Sequence, residues 1–335
     1  MINNLYNIRD LDPDVKVYLE PQFKRTRKPS DLVAELDKFV IGQDAAKKAL
    51  AIAMVNHEVI TEHNRRIKKS ETRLKKTNLM LVGPSGTGKT YLLEVIGRTL
   101  GKDVMAVDIS SYTQAGYVGR DLDSIITEAC ARCDDNPERV ENMIIFLDEV
   151  DKLSDQEGVG KVGTLAVQQQ LLTLIEGQEE YNVTNDKGRN TGFQVDTRNI
   201  LWVLGGAFTA YRESAIKKLK NPTTIGFATE TKEPEEFVFD QQQAIKAGLL
   251  RELVGRIGQV IELHDLSREE CYRIMVEPVD SIVNQYKILG ELRGLNLTLT
   301  EKEIWDIVDE AIRLKLGARG LRTLADKLMK DRMYI

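Results

Sequence analysis

The sequence predicts an α/β fold: a parallel sheet with helices packed on it, followed by a smaller, mainly helical unit. Two patterns carry that expectation. From Asn78 onward, short apolar runs alternate with stretches of helical periodicity, the order expected of parallel strands joined by crossover helices. After Leu263 the short runs cease and helix-start signals take over. With 335 residues, 42% of them hydrophobic, the chain has enough apolar material to bury more than one core.

The apolar runs at 79–82, 104–108, 144–147, 200–204 and 259–263 have strand length, and 91–100, 122–133 and 167–175 read as helices between them. Ahead of the sheet, Pro29 and Ser30 signal a helix start. Leu32, Val33, Leu36, Ala45, Ala46, Leu50 and Met54 supply the apolar faces of helices split near Ile41-Gly42. In the C-terminal part, Ser267 with Glu270 and Thr300 with Glu303 place a hydroxyl at a helix N-cap and a carboxylate three residues on, so each satisfies backbone donors at the other's end. The predicted organisation is an extended arm at 1–29, a large domain at 30–263 and a small helical domain at 264–335. The arm rests on its polarity, on Pro13, Pro21 and Pro29, and on the basic cluster Lys24, Arg25, Arg27 and Lys28. A second basic stretch, Arg65, Arg66, Lys68, Lys69, Lys75 and Lys76, reads as a solvated connection between helix and strand. Residues 221–243 lack periodicity and read as a long loop, and loops of that length are usually functional or disordered.

Composition excludes several classes. Lys and Arg total 47 against 52 Asp and Glu, and a net charge of -5 does not suit a surface that tracks nucleic acid throughout. The longest apolar runs are far too short to span a bilayer, and the N-terminus has no apolar signal core, so a cytoplasmic protein without a membrane partner is expected. Three cysteines cannot make a disulfide framework. Cys130 and Cys133 form a C-x-x-C, but with no second pair or nearby histidine they read as small packing residues on a helix rather than zinc ligands.

The chemistry concentrates in two places. Gly83-Pro84-Ser85-Gly86-Thr87-Gly88-Lys89-Thr90 matches the phosphate-binding pattern G-x-x-x-x-G-K-[ST], after a strand and at the start of a helix. Its glycines let backbone N–H groups wrap phosphates, Lys89 is placed for the β and γ phosphates of ATP, and Thr90 for a Mg²⁺ ligand. The run Met143-Ile144-Ile145-Phe146-Leu147-Asp148-Glu149 is a buried strand ending in two carboxylates, at the edge where a parallel sheet presents its site. Asp148 suits the Mg²⁺ shell and Glu149 the attacking water. Acidic residues at a strand end are common, and only the neighbouring phosphate loop gives these two a catalytic reading.

Together with Val40-Ile41-Gly42-Gln43, these motifs resemble the AAA+ P-loop NTPases in their ClpX-like form, and the similarity runs from about Pro29 to Met333. The resemblance implies that Val40 and Ile41 pack against adenine, although by themselves they are merely apolar. It makes Arg256, in Glu252-Leu253-Val254-Gly255-Arg256, an arginine finger that completes a neighbouring subunit's site. By the same likeness Arg319, in Gly317-Ala318-Arg319-Gly320-Leu321-Arg322, is the sensor-2 arginine reaching the nucleotide from the small domain. The polar sensor-1 residue has no counterpart, since Leu204-Gly205-Gly206-Ala207 is small or apolar throughout.

On the substrate side, Gly116-Tyr117-Val118-Gly119-Arg120-Asp121 resembles the family's aromatic pore loop, in which Tyr117 and Val118 form an apolar paddle that grips side chains without sequence preference. The family commonly has an acidic residue where this chain has Arg120. Residues 154–163 match the second pore loop by position, and Asp186-Lys187-Gly188-Arg189-Asn190 keeps part of the positive charge of a third. Ile225-Gly226-Phe227 matches the tripeptide that docks ClpX-like rings onto the ClpP peptidase, and large apolar residues on a loop suit a partner's pocket. Residues 1–29 contain no cysteine and so no family zinc domain, and the small domain is expected to be short at its C-terminal end. The function implied is an ATP-dependent protein unfoldase. It works as a homo-hexamer, threads unfolded or tagged proteins through its pore and delivers them to a ClpP-type peptidase. The alternatives are a stand-alone remodelling chaperone, a DNA-acting AAA+ motor, and a subunit that modulates a ring without turnover.

Overall fold

The computed structural model describes residues 27–67, 72–112, 122–154, 161–184, 190–220 and 237–334. Five strands, β1 (Asn78–Val82), β2 (Val104–Asp108), β3 (Ile144–Asp148), β6 (Leu201–Gly206) and β7 (Ile257–Glu262), form one parallel sheet in the order β2-β3-β6-β1-β7. Two further strands, β4 (Tyr181–Thr184) and β5 (Asn190–Val195), pair as an antiparallel hairpin outside it. The central strands β1 and β6 are buried along their whole length. Successive side chains in a strand point to opposite faces, and the two faces accordingly feed two cores. Met80, Val82, Ile145, Leu147, Trp202 and Leu204 pack on one side. They meet Ile125 and Ile126 of α4 (Ser124–Arg132) and Leu171 of α6 (Lys161–Glu176). Leu79, Leu81, Ile144, Phe146, Leu201 and Val203 pack on the other, under α1 (Pro29–Leu36), α2 (Asp44–Arg66) and α3 (Lys89–Leu100). Between α4 and β3 runs the short α5 (Pro137–Glu141), capped by the Asn136 side chain.

The remaining helices of this layer are α7 (Thr209–Lys220), α8 (Gln241–Lys246) and α9 (Arg251–Val254). Beyond β7, four helices enclose a third core: α10 (Arg268–Val276), α11 (Ile282–Arg293), α12 (Glu301–Arg313) and α13 (Gly317–Met333). Met275, Tyr286, Ile304, Val308, Leu321 and Ala325 fill it. Both expected capping boxes are present, Ser267 with Glu270 and Thr300 with Glu303, and they fix the starts of α10 and α12.

Three local expectations change. The stretch read as loop to residue 243 ends in a helix at Gln241, started by the Asp240 side chain accepting from the Gln243 N–H. The basic connection before β1 is only partly solvated: Lys76 donates to the Ile200 carbonyl, with burial pushing its ammonium down to about 7, and Arg73 donates to Asn199 Oδ1 at 2.8 Å. The hairpin β4–β5 lies where no strand was expected. Cys130 within α4 and Cys133 at its C-cap are buried, and burial pushes their thiols up to about 12 and about 11, so they serve as packing groups. No helix among the described residues is long and apolar enough to cross a membrane.

Candidate nucleotide site

The phosphate loop leaves β1 at Val82 and enters α3 at Lys89, at the C-terminal edge of the sheet. Gly86 and Gly88 take φ of +81° and +95°, a conformation that L side chains rarely adopt, so these glycines are required by the turn. Lys89 is buried and folds back over its own loop, donating to the Gly83 carbonyl at 2.7 Å and the Pro84 carbonyl at 3.0 Å. The Thr87 hydroxyl donates to the same Pro84 oxygen at 2.9 Å. Burial lowers the proton affinity of Lys89, while the carboxylates of Asp148 and Asp151 oppose that fall.

Two strands away, β3 ends in Asp148, whose Oδ1 accepts from the Glu149 N–H at 2.9 Å. Glu149 itself is exposed and held at φ 60°, ψ 31°, the left-handed region that costs a non-glycine residue of order 1 kcal/mol or more. Asp151 accepts from the Phe208 N–H at 3.2 Å and so ties the end of β3 to the segment after β6. Sequence reasoning stopped at Glu149 and missed Asp151, although its spacing of three from Asp148 was visible.

The missing polar residue at the end of β6 has a steric cause. A Cβ on Gly205 would lie 2.3 Å from the Phe146 ring and 3.2 Å from Asp148 Oδ1. One on Gly206 would lie 2.7 Å from the Phe208 ring and 3.0 Å from Asp151 Oδ1. The strand gives up side chains there so that the rings and both carboxylates can close in.

The small helical unit completes the site from the opposite side. Ala318, at the start of α13, donates its N–H to the Gly86 carbonyl at 3.0 Å, and Gly317 sits so close that a Cβ on it would be 2.9 Å from Gly86 Cα. A cavity of about 720 Å³ opens beside this contact, lined by Ser85, Gly86, Gly88, Lys89, Thr90, Asp148, Glu149 and Arg319. Its volume falls in the ordinary range of small-molecule sites, about 300–1,000 Å³. Further joints hold the two units together: the Gln43 amide donates to the His264 carbonyl at 2.8 Å and accepts from its N–H at 3.1 Å. Tyr91, next to Thr90, donates to Asp280 at 3.0 Å.

Not every expected residue meets in this cavity. Val40 and Ile41 are buried, and the Val40 carbonyl accepts from the buried Lys47 ammonium at 3.2 Å. Arg256 is at the other end of the sheet. Its carbonyl accepts from Asn78 Nδ2 at 3.2 Å and the next residue, Ile257, registers with Asn78, the first residue of β1. The phosphate loop begins five residues further along β1, roughly 16 Å away at strand rise. The Arg256 side chain is exposed and ion-paired with Glu176 at the end of α6. Tyr117, Val118, Ile225, Gly226, Phe227, residues 155–160 and Asp186 to Arg189 lie outside the described residues, as does the arm through residue 26.

A phosphate loop, a strand ending in Asp-Glu in the same parallel sheet and a helical unit that brings an arginine to the loop together define a AAA+ P-loop ATPase. The model of the AAA domain (Cdc48 subfamily) matches residues 74–260. Two curated relatives carry the name ATP-dependent Clp protease ATP-binding subunit ClpX. The one from Bacteroides thetaiotaomicron is 35% identical over 328 residues, covering 93% of this chain and 78% of the relative. The one from Porphyromonas gingivalis is 35% identical over 323 residues, covering 92% and 77%. The chain belongs to the ClpX family, and it binds and hydrolyses ATP.

Proposed function

We propose that the chain is an ATP-driven protein unfoldase of the cytoplasm, assembled as a hexameric ring, that threads unfolded or tagged proteins through its pore and passes them to a ClpP-type peptidase. The observation that carries the motor part of this reading is the meeting of Lys89, Thr90, Asp148, Glu149 and Arg319 around one cavity. Backbone N–H groups of the loop and the start of α3 hold the phosphates, and Lys89 supplies charge to the β and γ positions. Glu149 accepts from the attacking water, and Arg319 reports the nucleotide to the small domain. The Thr90 hydroxyl and the Asp148 carboxylate are hard oxygen donors on the same cavity. Among the described residues no group of three His, Cys, Asp or Glu side chains is placed to hold a metal ion, which fits Mg²⁺ arriving with the phosphates rather than in an all-protein cage. When bound, Mg²⁺ neutralises charge building up between the β and γ phosphates.

The position of Arg256 supports a ring. At the opposite edge of the sheet from its own phosphate loop, an exposed guanidinium in a surface ion pair of little energetic weight is free to serve a neighbouring subunit. Arg256→Ala is therefore expected to lose ATPase activity, and mixing it with Glu149→Gln subunits to restore part of it, since each supplies what the other lacks at one interface. No recovery in rings shown to contain both variants would place the role of Arg256 within its own subunit or nowhere.

The delivery part rests on Tyr117, Val118 and the tripeptide Ile225-Gly226-Phe227. Its test is ATP turnover and degradation of a tagged folded protein, with and without an added ClpP-type peptidase. Phe227→Ala is expected to keep unfolding and lose peptidase-dependent degradation, because truncating a buried aromatic anchor costs about 2 kcal/mol or more at an interface. Tyr117→Ala is expected to keep ATP binding and lose unfolding. Degradation untouched by Phe227→Ala would favour the stand-alone remodeller, and unfolding untouched by Tyr117→Ala would end the threading mechanism.

A further inference from the structure

The end of β6 presents no polar side chain to the phosphate loop, but a cation arrives one turn into the following helix. Thr209, Arg212 and Ile216 lie on one face of α7, and that face walls a second cavity of about 640 Å³ against Pro84 to Thr87 of the loop. Thr209 and Ala207 line both this cavity and the one holding Asp148 and Glu149, so the two are neighbours around the same loop.

Arg212 is mostly buried, its side chain 17% exposed, with its guanidinium carbon 5.9 Å from the Phe237 ring centroid. Nη1 is ion-paired with Glu262 Oε1 at 2.5 Å, but the pair is not aligned as a hydrogen bond, and among the described residues this buried nitrogen has no better-aligned acceptor. Glu262 is the anchored member of the pair, since its other oxygen accepts from the Phe239 N–H at 3.1 Å. The charge on Arg212 also reaches Lys89 and, like that of Arg319, disfavours its protonated form. Three cations gathered around one loop repel one another, and an arrangement of that kind is favourable when a polyanion lies among them.

We infer that Arg212 is a nucleotide-contacting residue that donates to the phosphate chain of ATP from the α7 side, where β6 has no side chain to offer. The inference rests on the phosphate-loop cavity being the ATP site. Arg suits this task because its planar fork can keep one nitrogen near Glu262 while another meets a phosphate oxygen.

The test measures equilibrium binding of a non-hydrolysable ATP analogue to the full chain. Arg212→Gln is expected to weaken binding at least about tenfold, the loss of one charge-assisted hydrogen bond to phosphate. Glu262→Gln is expected not to weaken it, because Arg212 is then released toward the nucleotide. The double variant decides between contact and scaffolding: it pairs two neutral amides and leaves no buried charge alone. Binding as weak in the double variant as in Arg212→Gln supports direct contact. Binding restored in the double variant, or weakened equally by Glu262→Gln alone, shows that Arg212 only neutralises Glu262 and overturns the inference, as does parent-like binding by Arg212→Gln. Lys89→Ala in the same assay separates the two levels. If it abolishes binding while Arg212→Gln does not weaken it, only the role of Arg212 fails; if it too binds normally, the reading of the cavity fails with it.

Discussion

Glu149→Gln is expected to bind ATP as the parent does and to hydrolyse it at least about a hundredfold more slowly, the lower range of what a positioned general base contributes. The substitution is close to isosteric, so the exposed side chain keeps its place in the cavity beside Lys89 and Asp148. The backbone at this residue is constrained at φ 60° and tied through its N–H to Asp148 Oδ1, and neither feature depends on the side-chain charge. Removed is the carboxylate proposed to accept from water. The amide oxygen is a far weaker base, and nothing in the phosphate contacts changes. Phosphate release at saturating ATP, set beside equilibrium nucleotide binding, measures both halves. Turnover near the parent rate would take Glu149 out of the reaction. Loss of binding together with turnover would mean that the left-handed turn had collapsed and that the variant reports on structure alone.

Much of the layout of this candidate site was legible in the sequence because its motifs are local. The phosphate loop is eight consecutive residues, and the Asp148-Glu149 pair follows an apolar run whose burial needs no partner to be guessed. The strand centres were legible for the same reason: a doubly covered parallel strand shows as a continuous apolar run. The hairpin β4–β5 was not, because neither segment has such a run and the pairing joins Tyr181 to Val195, fourteen positions apart in sequence. The joints between the two units were invisible in principle. Gln43 meets His264 across 221 positions of sequence and Tyr91 meets Asp280 across 189, and no periodicity connects residues so far apart. Arg256 illustrates the middle case. Its motif could be recognised, but only the parallel register of β7 on β1 puts it at the edge of the sheet away from its own loop. Arg212 is the converse, an unremarked cation in a polar helix that acquires meaning once α7 is seen to wall the loop.

Lys89→Ala is expected to weaken ATP binding at least about a hundredfold, since charge-assisted contacts to two phosphates are together worth about 3 kcal/mol or more. The ammonium is already at the loop, held by the Gly83 and Pro84 carbonyls, so little reorganisation is needed to engage phosphate. Burial alone would favour the neutral amine, but Asp148 and Asp151 act against that and help keep the charge at the proposed phosphate contacts. Alanine removes the charge and also the donations to the Gly83 and Pro84 carbonyls, of which Pro84 keeps the Thr87 hydroxyl, so the loop loses an internal tie as well as a ligand contact. Nucleotide-induced stabilisation gives a readout independent of turnover. At a ligand concentration a hundred times the parent Kd, binding stabilises the folded chain by about 2.7 kcal/mol, and a hundredfold weaker Kd leaves about 0.4 kcal/mol. A variant that folds with its parent's nucleotide-free stability and loses this increment places Lys89 on the phosphates. One that keeps the full increment would show that the cavity at the C-terminal edge of the sheet does not take its nucleotide through this lysine.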